Sequence, residues 1–372
     1  MPQIAIDDPD GTLAMLRESV VALAARHPGP ASVRAVRAAG GRLDGSLWSD
    51  MAGAGWTGLL VPEEFGGAGL GAAEQAVLSE ALGRALVSTP LAAGNVFAAV
   101  MLAEAAPSDE RDRLLTGLMD GSAVVIPAWQ DQPSRALVAS RNGGGVVLRG
   151  SCRHVEAASA ASDFLVAASC DGEAVLASVP ADASGLAIEE RAGVDGGAIG
   201  ALAFDGCRVP AERVLARAAS IAEIIERPTQ YARLALAAEL AGIASKAVEM
   251  TIDYTRDRVQ FGKPIASFQV IQHRLVEMWS DAEFACASVA NAVAKLSDGD
   301  AGAARLAVLA AKARCGEAAT SICRRAVHLH GAMGFTDEHD IGLYLKRAIS
   351  LSATLGQPER LRLEFIDLER AA

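Results

Sequence analysis

Arg258, Gln260, Gln269 and Gln272 are the side chains whose type and spacing best suit ligand chemistry. They stand in the stretch 254–278, Y-T-R-D-R-V-Q-F-G-K-P-I-A-S-F-Q-V-I-Q-H-R-L-V-E-M, on either side of Phe261-Gly262-Lys263-Pro264. Glycine adopts the backbone that ends a helix and proline cannot continue one, so two helices are expected with a fixed loop between them. A guanidinium and several carboxamides at such a loop suit a ligand rich in phosphate and heterocycle. An ordinary helical hairpin with a solvated polar face uses the same residue types.

Glu239 is the second chemical candidate. It is embedded in the apolar run Leu234-Ala235-Leu236-Ala237-Ala238-Glu239-Leu240, which favours a raised pKa or a partner. A structural ion pair or buried hydrogen bond between bundle helices is the reading favoured over catalysis. His328 and His330 are two residues apart, about 200° around a helix, and Glu338 and Asp340 face different ways beside His339, so no metal site is expected. The six cysteines (Cys152, Cys170, Cys207, Cys286, Cys315, Cys323) include no C-x-x-C pair and read as buried thiols in a reducing compartment.

The elements that position these residues follow from periodicity. From Asp10 to about Gly121 the pattern is helical, with Ala73, Val77, Ala81 and Ala85 on one stripe beside Leu78, Leu82 and Leu86. Short apolar runs at 124–126, 146–148, 164–166, 175–177 and 202–204, punctuated by Gly, Asp and Ser, predict strands. Beyond about Pro228 the chain is helical again: one helix to about Arg256, another from near Ser267, a third over about 301–330 and a fourth over about 341–355. The expected domains are 1–121 (helical), 122–218 (an antiparallel β-sandwich or barrel) and 219–372 (a four-helix bundle), an α+β multidomain fold. In 372 residues the net charge is −11, with no basic stripe for nucleic acid, no apolar run of membrane-spanning length and no signal-like start. The expected location is the cytoplasm.

The stretch 258–278 resembles the R-x-x-F-G-x-x-I-x-x-F-Q-x-x-x-x-x-L-A-x-M pattern of the acyl-CoA dehydrogenase family. His330-Gly331-Ala332-Met333-Gly334-Phe335-Thr336-Asp337-Glu338-His339-Asp340 resembles the H-G-G-x-G-F-T-x-E-H-D form of one branch, similar to members that degrade steroid side chains and are built from two different subunits as α2β2 tetramers. The segment 55–70, G-W-T-G-L-L-V-P-E-E-F-G-G-A-G-L, resembles the family's G-W-x-G-L-x-x-P-E-x-x-G-G-x-G, and 204–215 resembles its exit from the β domain. The resemblance covers essentially the whole chain.

That resemblance implies FAD-dependent α,β-dehydrogenation of an acyl-CoA thioester, in which a carboxylate takes the Cα proton while a hydride leaves Cβ for the flavin. It implies FAD contacts for Arg258, Gln260, Phe261 and Gln269, partly across a subunit interface, and for His328, Gly331 and Ala332, with Arg233 toward the CoA portion. Both usual base positions are apolar here: Leu355 stands at one and Ala232 at the other. Glu239 lies seven residues after Ala232, about 10 Å along the helix. The family's T-E-P-x-x-G-S-D loop is replaced by Trp129-Gln130-Asp131-Gln132-Pro133-Ser134-Arg135. The expectation is therefore one subunit of a mixed assembly whose partner chain carries the base, acting on a steroid or other bulky acyl-CoA, with electron transfer flavoprotein as the usual acceptor. The alternatives are a self-sufficient homotetramer using Glu239, and a catalytically silent scaffold.

Overall fold

The apolar runs between residues 124 and 204 become strands of one mixed sheet. The computed structural model describes residues 1–41, 43–129 and 137–371. It divides into two compact units, Met1–Val33 with Ala72–Ser88 and Arg233–Ala372, and Arg34–Gly71 with Thr89–Ala232. This cut follows packing, whereas the expected boundaries follow element type.

The first unit is helical: α1 (Thr12–Arg26), the first half of α2 (Gly29–Ala38), α4 (Ala72–Ala85), most of α7 (Ile221–Asp257), α8 (Gln269–Ser297), α9 (Ala301–His330), α10 (Ile341–Ala353) and α11 (Pro358–Ala371). The expected four bundle helices are α7 to α10, and α11 is a further helix begun by Pro358, whose missing N–H costs nothing at a first helical position. Glycine permits a close approach of α4 to α7. A Cβ on Gly83 of α4 would lie 2.1 Å from the Glu239 carbonyl oxygen, and one on Gly242 of α7 would lie 2.1 Å from that of Glu80, so the two backbones meet reciprocally. Glu80 is itself buried and accepts the Ile4 N–H at 3.1 Å, tying down the N-terminal segment.

The second unit holds the sheet: β1 (Val125–Trp129), β2 (Val138–Asn142), β3 (Gly145–Glu156), β4 (Asp163–Cys170), β5 (Glu173–Pro180), β6 (Leu186–Ala192), β7 (Ala198–Val209) and β8 (Val214–Ala218). The order is β6-β7-β3-β2-β4-β5-β8. The expected antiparallel pairing holds for every ladder of this sheet except two. β1 and β2 share one edge of β4 and run parallel to it, β1 along Asp163–Ala167 and β2 at Ser169 and Cys170. The inward side chains of Leu148, Cys152, Phe164, Val166, Val175, Leu202 and Cys207 form its core. Helices α3 (Gly45–Gly53), α5 (Val96–Glu104) and α6 (Asp109–Asp120) belong to the same unit.

Candidate active site

Helix α7 stops where the sequence predicts. After Asp257 the chain forms a two-stranded hairpin, β9 (Val259–Gln260) against β10 (Lys263–Pro264), with Gln260 opposite Lys263. Phe261 and Gly262 are the turn, with φ of +53° and +78°, the double-positive backbone of a type I′ turn. Glycine adopts it freely, but a phenylalanine there costs about 1 kcal/mol. Its side chain is 92% exposed, touching Phe268 edge-on at 6.1 Å between centroids. A strained, exposed aromatic is a feature to be explained by what docks on it.

Beyond the hairpin, α8 begins at Gln269 with no side chain capping it, leaving amide donors and the positive end of its dipole open. The Arg258 guanidinium and the Gln269 carboxamide are exposed and have no partner among the described residues. Gln260 and Gln272 turn back on the main chain, to the carbonyls of Val259 at 2.7 Å and Ala266 at 3.0 Å.

The end of α9 is pinned to the end of α7. Tyr254 Oη donates to the His330 carbonyl at 3.1 Å, and its ring stacks on the His330 imidazole at 4.3 Å. His330 Nδ1 lies 2.8 Å from the Ala326 carbonyl, which can only accept, so Nδ1 carries the proton. The buried Nε2 is then a lone acceptor without a partner among the described residues. His339 approaches to 4.4 Å between ring centroids, its Nδ1 accepting the Ile341 N–H. Burial pushes both imidazoles below the ordinary histidine pKa. This aromatic cluster escaped the sequence reading, because Tyr254 and His330 are separated by 76 residues and belong to no shared periodicity. His328 faces outward, its Nδ1 accepting from Arg274 at 3.1 Å. Gly331 has φ +60° with open space where a Cβ would stand, and Ala332 is exposed. Among the described residues no cluster of three His, Cys, Asp or Glu is disposed to hold a metal ion.

The second group of site residues lies elsewhere on α7. Arg233 is separated from Asp257 by twenty-four residues of continuous helix, about 36 Å. Its Nε donates to the Leu355 carbonyl at 2.9 Å and its two terminal nitrogens reach Glu364 at 3.3 and 3.2 Å. Burial lowers the Arg233 pKa and the Glu364 carboxylate opposes that shift. Leu355 sits in the turn between α10 and α11 with φ +54°, half-buried, and Ala232 is fully buried. Glu239 is committed to Arg347 of α10, which approaches the same carboxylate oxygen with Nε and Nη2, each at 2.9 Å. Glu359 is exposed in the first turn of α11. In the other unit, Trp129 stacks on Phe97 at 4.8 Å, and residues 130–135 of the replaced loop lie outside the described residues.

The hairpin and the end of α9 fit a dinucleotide such as FAD: an exposed guanidinium, an uncapped helix N-terminus and an unobstructed glycine can meet phosphate, and Phe261 can meet a planar ring. Ligand-type side chains thus gather at the ends of bundle helices, in a chain that also carries a mixed-sheet unit. Comparison with known proteins supplies the family. The acyl-CoA dehydrogenase N-terminal domain matches residues 11–122 and the C-terminal domain residues 222–366. Acyl-CoA dehydrogenase IpdE2 of Mycolicibacterium smegmatis is 32% identical over 357 residues, covering 94% of this chain and 96% of its own. Among solved structures, a variant of the Tcur3481-Tcur3483 steroid ACAD is 31% identical with a TM-score of 0.86, over 96% of this chain and 98% of its own. The ChsE4-ChsE5 complex from Mycobacterium tuberculosis is 26% identical with a TM-score of 0.88, over 98% and 99%. The chain belongs to the acyl-CoA dehydrogenase family of oxidoreductases.

Proposed function

We propose that this chain is one subunit of a heteromeric, FAD-dependent acyl-CoA dehydrogenase of the α2β2 type, acting on a steroid or other bulky acyl-CoA, with a homologous partner subunit supplying the catalytic carboxylate. The observation that carries this is the absence of a carboxylate at both usual base positions, Leu355 and Ala232, in a chain that keeps Arg233 and the Arg258 hairpin. Abstraction of a weakly acidic Cα proton needs a desolvated base against that carbon, and an apolar side chain supplies none. Bound FAD would supply the hydride acceptor. Arg258 and the first amides of α8 would hold its phosphates, Phe261 and Gln269 its ring systems, and Arg233 would face the CoA portion.

Two further features favour an assembly. The Arg258 end and the Arg233 end of α7 are about 36 Å apart, so residues of both kinds meet one reacting centre most simply when different chains contribute them. The helical unit also leaves Val270, Val276, Trp279 and Phe284 exposed along α8, with Phe261 and Phe335 on the flanking loops, apolar side chains that a partner subunit would cover. Of the similar solved structures, ChsE4-ChsE5 is a complex and Tcur3481-Tcur3483 is a steroid ACAD.

The test is a visible absorption spectrum of the chain expressed alone and then with the product of an adjacent dehydrogenase-like reading frame, followed by a CoA thioester. Flavin colour and bleaching in the co-expressed complex alone support the proposal. A yellow chain that bleaches unaided sinks it and returns attention to a self-sufficient enzyme using Glu239. A colourless protein in both preparations supports a silent scaffold. Electron transfer flavoprotein is the acceptor to try first.

A further inference from the structure

We infer that Lys312 is a positioning residue for the turn 354–357, gripping its backbone so that Leu355 is presented at the vacated base position; the functional half of this rests on the reading of Leu355 given above. Lys312 projects from α9 and is 0% exposed. Its Nζ reaches the carbonyls of Ser352 at 3.2 Å and Gly356 at 3.5 Å, on the two sides of Leu355. Arg233 Nε takes the Leu355 carbonyl itself at 2.9 Å. Two cations from different helices thus hold three carbonyls around one short turn.

The turn needs such a grip. Leu355 is in the left-handed region at φ +54°, which a branched side chain adopts at a cost, and Gly356 follows at φ +119°. A Cβ on Gly316, one helical turn beyond Lys312, would lie 2.8 Å from Ser352 Oγ and 3.3 Å from Pro358 Cγ, so α9 lies directly against both ends of the turn. An apolar side chain would fill the Lys312 site without the desolvation cost of an ammonium, so what the lysine adds is directional donors. Its charge is opposed by burial and by Arg233 of α7 and favoured by the Cys315 thiol on its own helix; from α10 and the turn it meets carbonyl oxygens.

The closing experiment uses the co-purified assembly. Hydrogen exchange of the peptide spanning 350–360 is compared between wild type and Lys312→Met, with exchange about tenfold faster or more expected in the variant, the effect of one lost charged hydrogen bond. Exchange of peptides outside 350–360 in the same samples shows whether Lys312→Met otherwise folds as the wild type does. A Leu355→Glu variant then places a carboxylate to take the Cα proton while the hydride passes to FAD and on to a dye acceptor. With octanoyl-CoA and a steroid acyl-CoA as probes, adding Lys312→Met to Leu355→Glu should cut kcat about tenfold and leave KM nearly unchanged. Exchange of the 350–360 peptide indifferent to Lys312→Met overturns the proposal. Faster exchange combined with an inactive Leu355→Glu variant upholds the Lys312 grip and sinks instead the reading of Leu355 as the base position.

Discussion

Replacing Glu239 separates a structural carboxylate from a catalytic one. Glu239 and Arg347 are 7% and 5% exposed, with both guanidinium contacts at 2.9 Å, and the Gly83 backbone closes over the same turn of α7. Glu239→Ala strands the Arg347 charge in a site with little water, which costs about 3–5 kcal/mol. Glu239→Gln keeps an acceptor for Arg347 and should cost less, about 1–3 kcal/mol. The double replacement Glu239→Met with Arg347→Met removes both charges and should recover most of the loss, as buried pairs exchanged for packed apolar side chains commonly do. Urea unfolding followed by circular dichroism compares the three variants with wild type, and acyl-CoA turnover is measured on the same preparations. If Glu239→Gln abolished turnover with unfolding free energy unchanged, the ion-pair account would fail and Glu239 would be the base.

The Lys312 ammonium predicts a pH signature. Burial lowers its pKa from 10.5 to about 7, so between those values the unfolded chain holds a proton the folded chain lacks, and stability rises with pH across that window. The rise from pH 7 to pH 9 should be about 2 kcal/mol in wild type relative to Lys312→Met, read from paired urea titrations; equal slopes would contradict it. His330 works the same way at lower pH: with its folded pKa depressed below 6.5, stability should fall as pH drops below 6.5, and His330→Phe, which keeps a ring on Tyr254, should flatten that part of the profile. Phe261→Gly relieves a left-handed phenylalanine and should leave the isolated chain as stable or about 1 kcal/mol more so, while flavin retention by the assembly falls. Undiminished flavin content would remove Phe261 from the binding surface. Arg258→Ala should weaken flavin binding about tenfold or more with no loss of stability, since its guanidinium has no partner among the described residues; an unchanged dissociation constant would refute the assignment.

The sequence by itself determined the order of elements, the break at Gly262 and Pro264, the family, and the apolar identity of Leu355 and Ala232, because each of these is carried by local backbone preference, by periodicity or by residue identity at a motif position. It also marked Glu239 as anomalous, since a carboxylate in an apolar helical run announces itself. Tertiary structure alone decided what the anomaly meets. The partners Arg347 for Glu239, Glu364 for Arg233 and His330 for Tyr254 lie 108, 131 and 76 residues away, and no local signal links them. The parallel pairing of β1 and β2 with β4 was equally hidden, because alternation says which side chains face inward but not which strand lies alongside. Lys312 shows the limit most plainly: in sequence it is one lysine in an alanine-rich helix, outwardly a solvated residue, and only the packing of α10, α11 and their turn against α9 makes it a buried cation with carbonyls to hold.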